Sequence, residues 1–251
     1  MSRISQHKAA EQLIKSLCAQ LKEIDCKLPA LVKFIYELDN INYSSIREME
    51  KKNNPKEIAS VVSKLPLSNS NFHNIKGLST EISMSFNWSR MYGKVDFEFS
   101  YVKDMFASRL VGLDGYYSHN CLSIGQMLLL PGVTYPFHTH LVEELYYVLS
   151  GRLILQHGVD GKPFTLQPGE ISITPEGQLH SLRVDGEDPV LLLYSWLGNL
   201  TAPIWIWKKI GDHHWERAFW TRLPGKKWTI REKQVVSEEL FLSAHNNSSS
   251  Y

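Results

Sequence analysis

Three histidines and one glutamate stand in this chain at spacings that could hold a single metal ion. His138 and His140 are one residue apart, Glu144 follows them, and His180 comes much later. Side chains alternate along a β-strand with period two, so His138 and His140 project to one side. Glu144 follows after a short bend, and His180 arrives on a strand that pairs from far along the sequence. Three imidazoles and one carboxylate suit Fe(II), Zn, Mn, Ni or Co. Four protein ligands leave room for substrate only if the ion expands to five or six coordination. The expected centre is one divalent transition metal held by His138, His140, Glu144 and His180.

Short strands must position these groups. From about residue 80 the chain reads as β-branched and aromatic runs broken by turn residues: LSIGQMLLL, LYYVLSGRLILQHG, EISITP, HSLRV, PVLLLYSWLG, PIWIWKKI. His157 to Lys162 reads as a hairpin connection. Strands of this length and spacing predict a double-sheet jelly roll, with a closed or nearly closed β-barrel over residues 110–200. Ahead of it lies helical texture. Residues 5–24 carry Ala10, Leu13, Leu17 and Leu21 at helical spacing, with Ser5 placed to cap the start. Residues 29–41 repeat the pattern with Leu31, Phe34, Ile35 and Leu38. A third segment follows Pro55, with Ile58, Val61, Val62 and Leu65 behind it. Pro66 and the polar run from Ser68 to Asn71 then read as a loop or linker. The division expected is a helical region over 1–75, a mainly β domain over 76–245 and a frayed tail over 246–251.

Composition bounds the partners. The 251 residues are 43% hydrophobic and 21% charged, which supports a sizeable core. The net charge is +1, giving no electrostatic case for nucleic acid or a membrane surface. No apolar run reaches the roughly 18 residues of a membrane span. The N-terminus lacks the charged start and apolar core of a secretion signal. Three scattered cysteines, Cys18, Cys26 and Cys121, point to a reducing compartment without a disulfide framework. A cytoplasmic protein is expected, and the helical N-terminus offers a surface for a homodimer.

Gly132, His138, His140, Glu144 and Gly151 fill G-x5-H-x-H-x3-E-x6-G, and Gly169, Pro175, Gly177 and His180 fill G-x5-P-x-G-x2-H. These patterns resemble the two cupin motifs, with Val184 where the second usually ends in Asn. A narrower likeness overlies them. YPFHTHLVEELYYVLSG, followed by DPVLLLYSWLGN, resembles the cupin-type dimethylsulfoniopropionate lyases and their lyase-like relatives. Their pattern is approximately Y-P-x-H-x-H-x3-E-x-Y-x2-L-S-G, then E-P-V-L-x2-Y-x-W-x-G-D, with a helical portion ahead of the barrel. The resemblance is strongest over residues 110–200. Asn199 replaces the final Asp of the second pattern, Leu197 stands where Arg is frequent, and Arg152 begins a stretch lacking the family's Trp. These departures are expected on the pocket wall.

The resemblance implies a carbon–sulfur lyase acting on a small sulfonium carboxylate. Removing the proton beside the carboxylate expels dimethyl sulfide and leaves acrylate. A metal stabilises the developing enolate-like charge as a Lewis acid. A tyrosine can take the proton only as phenolate, which a nearby cation favours. The resemblance places the candidate tyrosines at Tyr146 and Tyr135. Trp196 and Tyr194, on one face, are the substrate-pocket candidates, Trp196 cradling the sulfonium by cation–π attraction. Two other classes fit the same residues: another metal-dependent cupin enzyme (dioxygenase, isomerase or lyase) on a different small carboxylate, and a cupin that binds a small molecule without catalysis.

The remaining polar candidates read as structural. Tyr147 alternates to the face opposite Tyr146. His157 falls in a solvated turn, and His213 and His214 point apart at a surface or edge. Glu143 points away from the metal, and Cys121 is a small buried residue.

Overall fold

A computed structural model of the chain describes residues 3–24, 28–44, 46–49, 54–62, 73–83, 85–92, 103–224 and 226–245. Five helices lie among them: α1 (Arg3–Lys22), α2 (Pro29–Asp39), α3 (Lys56–Val62), α4 (His73–Ser83) and α5 (Glu238–His245). The strands are β1 (Trp88–Arg90), β2 (Met105–Val111), β3 (Leu122–Leu129), β4 (Thr134–His140), β5 (Val142–Ser150), β6 (Leu153–His157), β7 (Phe164–Leu166), β8 (Ile171–Thr174), β9 (His180–Val184), β10 (Val190–Gly198), β11 (Ile204–Gly211), β12 (His214–Thr221) and β13 (Thr229–Ser237).

The strands form two antiparallel sheets, ordered β1-β2-β3-β10-β5-β8 and β13-β12-β11-β4-β9-β6-β7. This is the expected double-sheet jelly roll. Among the described residues, however, the sheets remain two and are not hydrogen-bonded into a closed ring, so the barrel is a sandwich. Tyr146, Val148, Leu192 and Tyr194 of the first sheet share one core with Ile204, Ile206 and Trp220 of the second. The other face of the first sheet is covered by helices. Leu13, Leu17, Phe34, Leu38 and Ile58 pack with Leu145, Tyr147, Leu149 and Leu193. Both faces of this sheet are therefore dry, and all eight residues of β3 are buried. That is why β3 and β10 read as mostly apolar runs without regular alternation.

The helical layer departs from the sequence reading in detail. Ser5 lies inside α1, which starts at Arg3, so it does not cap it. Pro29 opens α2, and Pro55 precedes α3, where the Ile58 N–H bonds its carbonyl at 3.1 Å. Helix α4 was not expected, and the 75/76 boundary falls within it. Its Gly, Asn, Ser and Thr are poor helix formers, but Ile75 and Ile82 bury into the shared core, and tertiary packing outweighs propensity. Helix α5 was likewise unexpected; it docks Phe241 between Trp207 and Trp215 outside the second sheet. The polar run from Ser68 to Asn71, the tail 246–251 and Cys26 lie outside the described residues.

Two glycines set the local geometry. Gly151 joins β5 to β6 at a φ of +76°, where a Cβ would stand 2.4 Å from the Pro189 carbonyl oxygen. Gly125 sits between Ser108 and Tyr194, and a Cβ there would meet the Ser108 carbonyl oxygen at 2.0 Å and the Tyr194 hydroxyl at 2.7 Å. Gly125→Ala is expected to destabilise the fold by about 1–3 kcal/mol, an overpacking cost, measured as a lower denaturant midpoint at unchanged slope.

Candidate metal centre

Strand β4 carries His138 and His140, and His138 pairs in register with His180 at the start of β9. Glu144 belongs to the opposite sheet, on β5. The bend between them is thus a change of sheet: Leu141 turns the chain outward, and Glu144 faces back across the sandwich. All four side chains are buried, none more than 3% exposed.

Their hydrogen bonds define the donor set. The Nδ1 of His138 lies 2.8 Å from the Pro136 carbonyl, that of His140 3.1 Å from Val142, and that of His180 2.8 Å from Gln178. A carbonyl only accepts, so each Nδ1 carries the proton and each Nε2 presents its lone pair. Glu144 Oε2 lies 3.0 Å from His140 Nε2 and 3.2 Å from His180 Nε2. One ligand atom from each of the four residues falls within 4.8 Å of the others. Buried, neutral imidazoles converging on a carboxylate fit a divalent transition ion.

Burial, then the neighbouring His180 and His140, push the His138 imidazole well below its ordinary value. Burial lowers His180 as well. For Glu144, burial works upward, and His140 and His180 hold the carboxyl well below the usual range where their Nε2 atoms carry a proton in place of a metal. Trp196 Nε1 donates to Glu144 Oε1 at 2.5 Å, leaving Oε2 toward the histidines. Trp196 therefore orients the carboxylate as well as lining the cavity beside it.

That cavity brings Tyr135, Tyr146, Tyr194 and Trp196 together with His138 and Glu144. Tyr146 and Tyr194 are register partners on β5 and β10, and Trp196 pairs with Glu144 one row away. Tyr147 faces the helices instead. Tyr135 reaches the cavity through a break in register between Tyr135 and His138, which lets residues three apart face one side. Its ring stacks on His138 at 3.9 Å, and its hydroxyl bonds that of Tyr92. Burial raises both phenols well above the ordinary value, with Tyr92 adding to the rise at Tyr135 and Glu144 at Tyr146.

The other polar candidates divide between departures and agreements with expectation. His157 is not a solvated turn residue: it ends β6 opposite His180, bonds Thr174 Oγ1 at 3.1 Å, and is lowered by burial to about 4. Leu197 packs toward the helices, and Asn199 closes its own turn with Thr201, so neither departure from the family pattern lines this cavity. Glu143 turns away and pairs with Lys33 at 2.8 Å. Cys121 is half-buried, and His213 is exposed. Trp228, from a Trp-rich C-terminal stretch expected around the pocket wall, does line the cavity, but sequence reasoning missed Arg109 and Arg222 there. They stand on β2 and past the end of β12, outside any motif, and no local spacing marks them.

A jelly roll whose facing sheets gather three histidines and a glutamate is a cupin. Within that class the dimethylsulfoniopropionate lyase family model matches residues 49–192, and the chain belongs to that family. It is similar to dimethylsulfoniopropionate lyase DddQ of Ruegeria pomeroyi, 34% identical over 97 residues, 38% of this chain and 47% of that one. It is also similar to a gentisate 1,2-dioxygenase of a Ralstonia species, 28% identical over 102 residues, 41% of this chain and 27% of that one. Both matches thus span less than half of the curated relatives' length. The crystal structure of the Ruegeria pomeroyi DddQ superposes with a TM-score of 0.58 over 76% of this chain and 94% of that one at 22% identity, a likeness of fold. A structure reported with the lyases RdDddP and RnDddQII gives the same TM-score of 0.58 at 19% identity, over 77% and 94% of the two chains. A BRX transcription-factor N-terminal model matches residues 5–32 alone, little more than α1, and shows no family.

Burying these histidines neutral has a consequence for the metal-free protein. His138, His157 and His180 all sit below the ordinary imidazole value of 6.5, His157 at about 4. Between those values the unfolded chain binds protons that the folded chain refuses, so stability falls as pH falls. The thermal midpoint of chelator-treated protein is expected to drop from pH 7 to pH 4 by circular dichroism. A midpoint that stays level or rises over that window contradicts the neutral buried set.

Proposed function

We propose that the protein is a metal-dependent carbon–sulfur lyase that cleaves dimethylsulfoniopropionate to dimethyl sulfide and acrylate by β-elimination. Membership of the lyase family supports the reaction, and the observation that carries the site is the gathering of His138, His140 and His180 with Glu144 beside a cavity lined by tyrosines. His138, His140, Glu144 and His180 hold one divalent ion, from among Fe(II), Zn, Mn, Ni and Co. When bound, the metal supplies Lewis-acid stabilisation of charge developing on the substrate and a field that draws a buried phenol toward phenolate. Tyr146, as phenolate, takes the proton beside the carboxylate. The C–H electrons form the double bond, and the C–S pair leaves with dimethyl sulfide. Tyr135 stands next to the same cavity as the second candidate base. Trp196 and Tyr194 offer aromatic faces to the sulfonium.

The same reading carries a cytoplasmic location, a small-molecule substrate and no nucleic-acid or membrane partner, in keeping with the net charge of +1 and with no helix among the described residues being long and apolar enough to cross a membrane. A homodimer through the helical layer is supported by the exposed Val32 and Tyr36 on α2 and Leu28 just ahead of it. The likeness to a gentisate dioxygenase favours one second reading, a dioxygenase on another small carboxylate. Metal-loaded protein mixed with dimethylsulfoniopropionate separates the two: dimethyl sulfide in the headspace without oxygen uptake is expected. Oxygen uptake with an aromatic dihydroxy acid, and no sulfide, overturns the lyase reading.

A further inference from the structure

The hydroxyl of Tyr135 is bonded to a second buried phenol, Tyr92, which the elimination chemistry above leaves without a role. Tyr92 stands just past β1, in a segment tied to both sheets. The Met91 N–H donates to the Met105 carbonyl at the start of β2, and the Trp228 N–H donates to the Met91 carbonyl, each at 3.2 Å. Tyr92 and Trp228 also form a parallel bridge just ahead of β13. Met91 and Trp228 line the cavity, whereas Tyr92 stands behind Tyr135. The Tyr92 ring meets Trp220 edge-on at 4.9 Å and Tyr135 at 6.0 Å. Tyr92 is 2% exposed and Tyr135 3%.

Tyr135 needs such a partner because its backbone does not fix it. Strand β4 pairs with β9 at Tyr135 and next at His138, with the ladder broken between them. Pro136, inside that break, has no N–H to donate. Side chains hold the ring instead. One face stacks on His138 at 3.9 Å and 28°. A stacked ring can still slide in its own plane, and a buried hydroxyl requires a hydrogen-bond partner. Tyr92 supplies the second point of attachment at the far end of the ring. Tyr92 is itself clamped, by Trp220 on one side and by the backbone ties to both sheets on the other.

We infer that Tyr92 is a positioning residue of the site: its hydroxyl anchors that of Tyr135 and so fixes where the Tyr135 phenol stands beside the metal centre and the cavity. Tyr92 touches neither the ligand set nor the cavity, and it acts through Tyr135 alone. The inference rests on the lyase reading for the reaction that this placement serves. It links the closure of the two sheets around Met91 and Tyr92 to the geometry of a candidate base, so a change outside every motif of the chain is expected to slow turnover without loosening substrate or metal.

Tyr92→Phe, Tyr135→Phe and the double variant, at matched metal content, separate positioning from packing. Tyr92→Phe keeps the ring against Trp220 and is expected to lose about 10-fold in kcat with KM within about twofold, since small misplacements of a reacting group are costly. In the Tyr135→Phe background the same change is expected to cost less than about twofold, because two residues acting through one contact are not additive. The double variant leaves neither hydroxyl unpartnered, so its comparison with Tyr135→Phe carries the test if Tyr92→Phe does not fold. Equal losses in both backgrounds, or Tyr92→Phe with the parent kcat, overturn the inference. Proton NMR of zinc-loaded, nitrogen-15-labelled protein reads the pair without turnover. A slowly exchanging downfield resonance, unsplit by nitrogen and lost in both single variants, is expected; a parent spectrum without it contradicts the anchor. Protein that shows the resonance but releases no dimethyl sulfide keeps Tyr92 as the anchor of Tyr135 and loses the lyase reading.

Discussion

Replacing Tyr146 by phenylalanine is expected to lower turnover at least about 100-fold while metal content stays at the parent level. Tyr146 lies two residues beyond Glu144 on β5, and with both side chains facing the second sheet it stands beside the site where the four ligands converge. Phenylalanine keeps the ring in a position only 1% exposed, so packing is nearly held and the loss reports the hydroxyl. The protein alone pushes this phenol upward, through burial and then Glu144. The phenolate therefore forms at useful pH only against the metal's charge, and the rise in activity with pH should shift when one divalent metal replaces another. Tyr135→Phe is expected to be the next most damaging change. It also removes the hydroxyl partner of Tyr92, so part of its effect is structural. Near-parent elimination rates in both phenylalanine variants rule out a tyrosine base. Loss of metal in proportion to activity in Tyr146→Phe makes that phenol a ligand and moves the base to Tyr135.

His140→Ala should act on the metal first. The residue supplies one of four converging donors, and its Nε2 faces Glu144 at 3.0 Å. Losing an outer hydrogen-bond partner already costs a metal site about 10–100-fold in affinity, and loss of a ligand costs more. Bound metal and dimethyl sulfide release are both expected to collapse after dialysis. The fold should survive, because the sandwich and helical layer rest on extensive apolar cores rather than on the ion. Metal analysis beside far-ultraviolet circular dichroism reads the two separately. A variant that unfolds with its metal shows a structural centre; one that keeps a full metal complement removes His140 from the ligand set.

The metal-site residues were legible because their signal is local. The His138–His140 alternation needs only strand geometry to be read, the glycine-bounded motifs and the candidate tyrosines came from the family resemblance, and alternation puts Tyr146 on the side of Glu144. Tyr135 did not follow from alternation, since its parity with His138 is wrong until the register breaks between them. Arg109 and Arg222 were invisible because sheet order alone brings β2 and the β12–β13 connection to the cavity. Helices α4 and α5 were missed for a related reason: Ile82 and Phe241 are held by distant partners, against weak local propensity or at a chain end. His157 looked like a turn residue because the sequence does not say that β6 lies beside β9.

Metal titration into chelator-stripped protein, with dimethyl sulfide and acrylate measured at each addition of dimethylsulfoniopropionate, bears most directly on a metal-dependent lyase. Release of the two products in equal amounts is expected to rise with added Fe(II), Mn, Co, Ni or Zn and to level at one ion per chain. Product release that is independent of metal, or no dimethyl sulfide from protein carrying one ion per chain with any of the five, contradicts it.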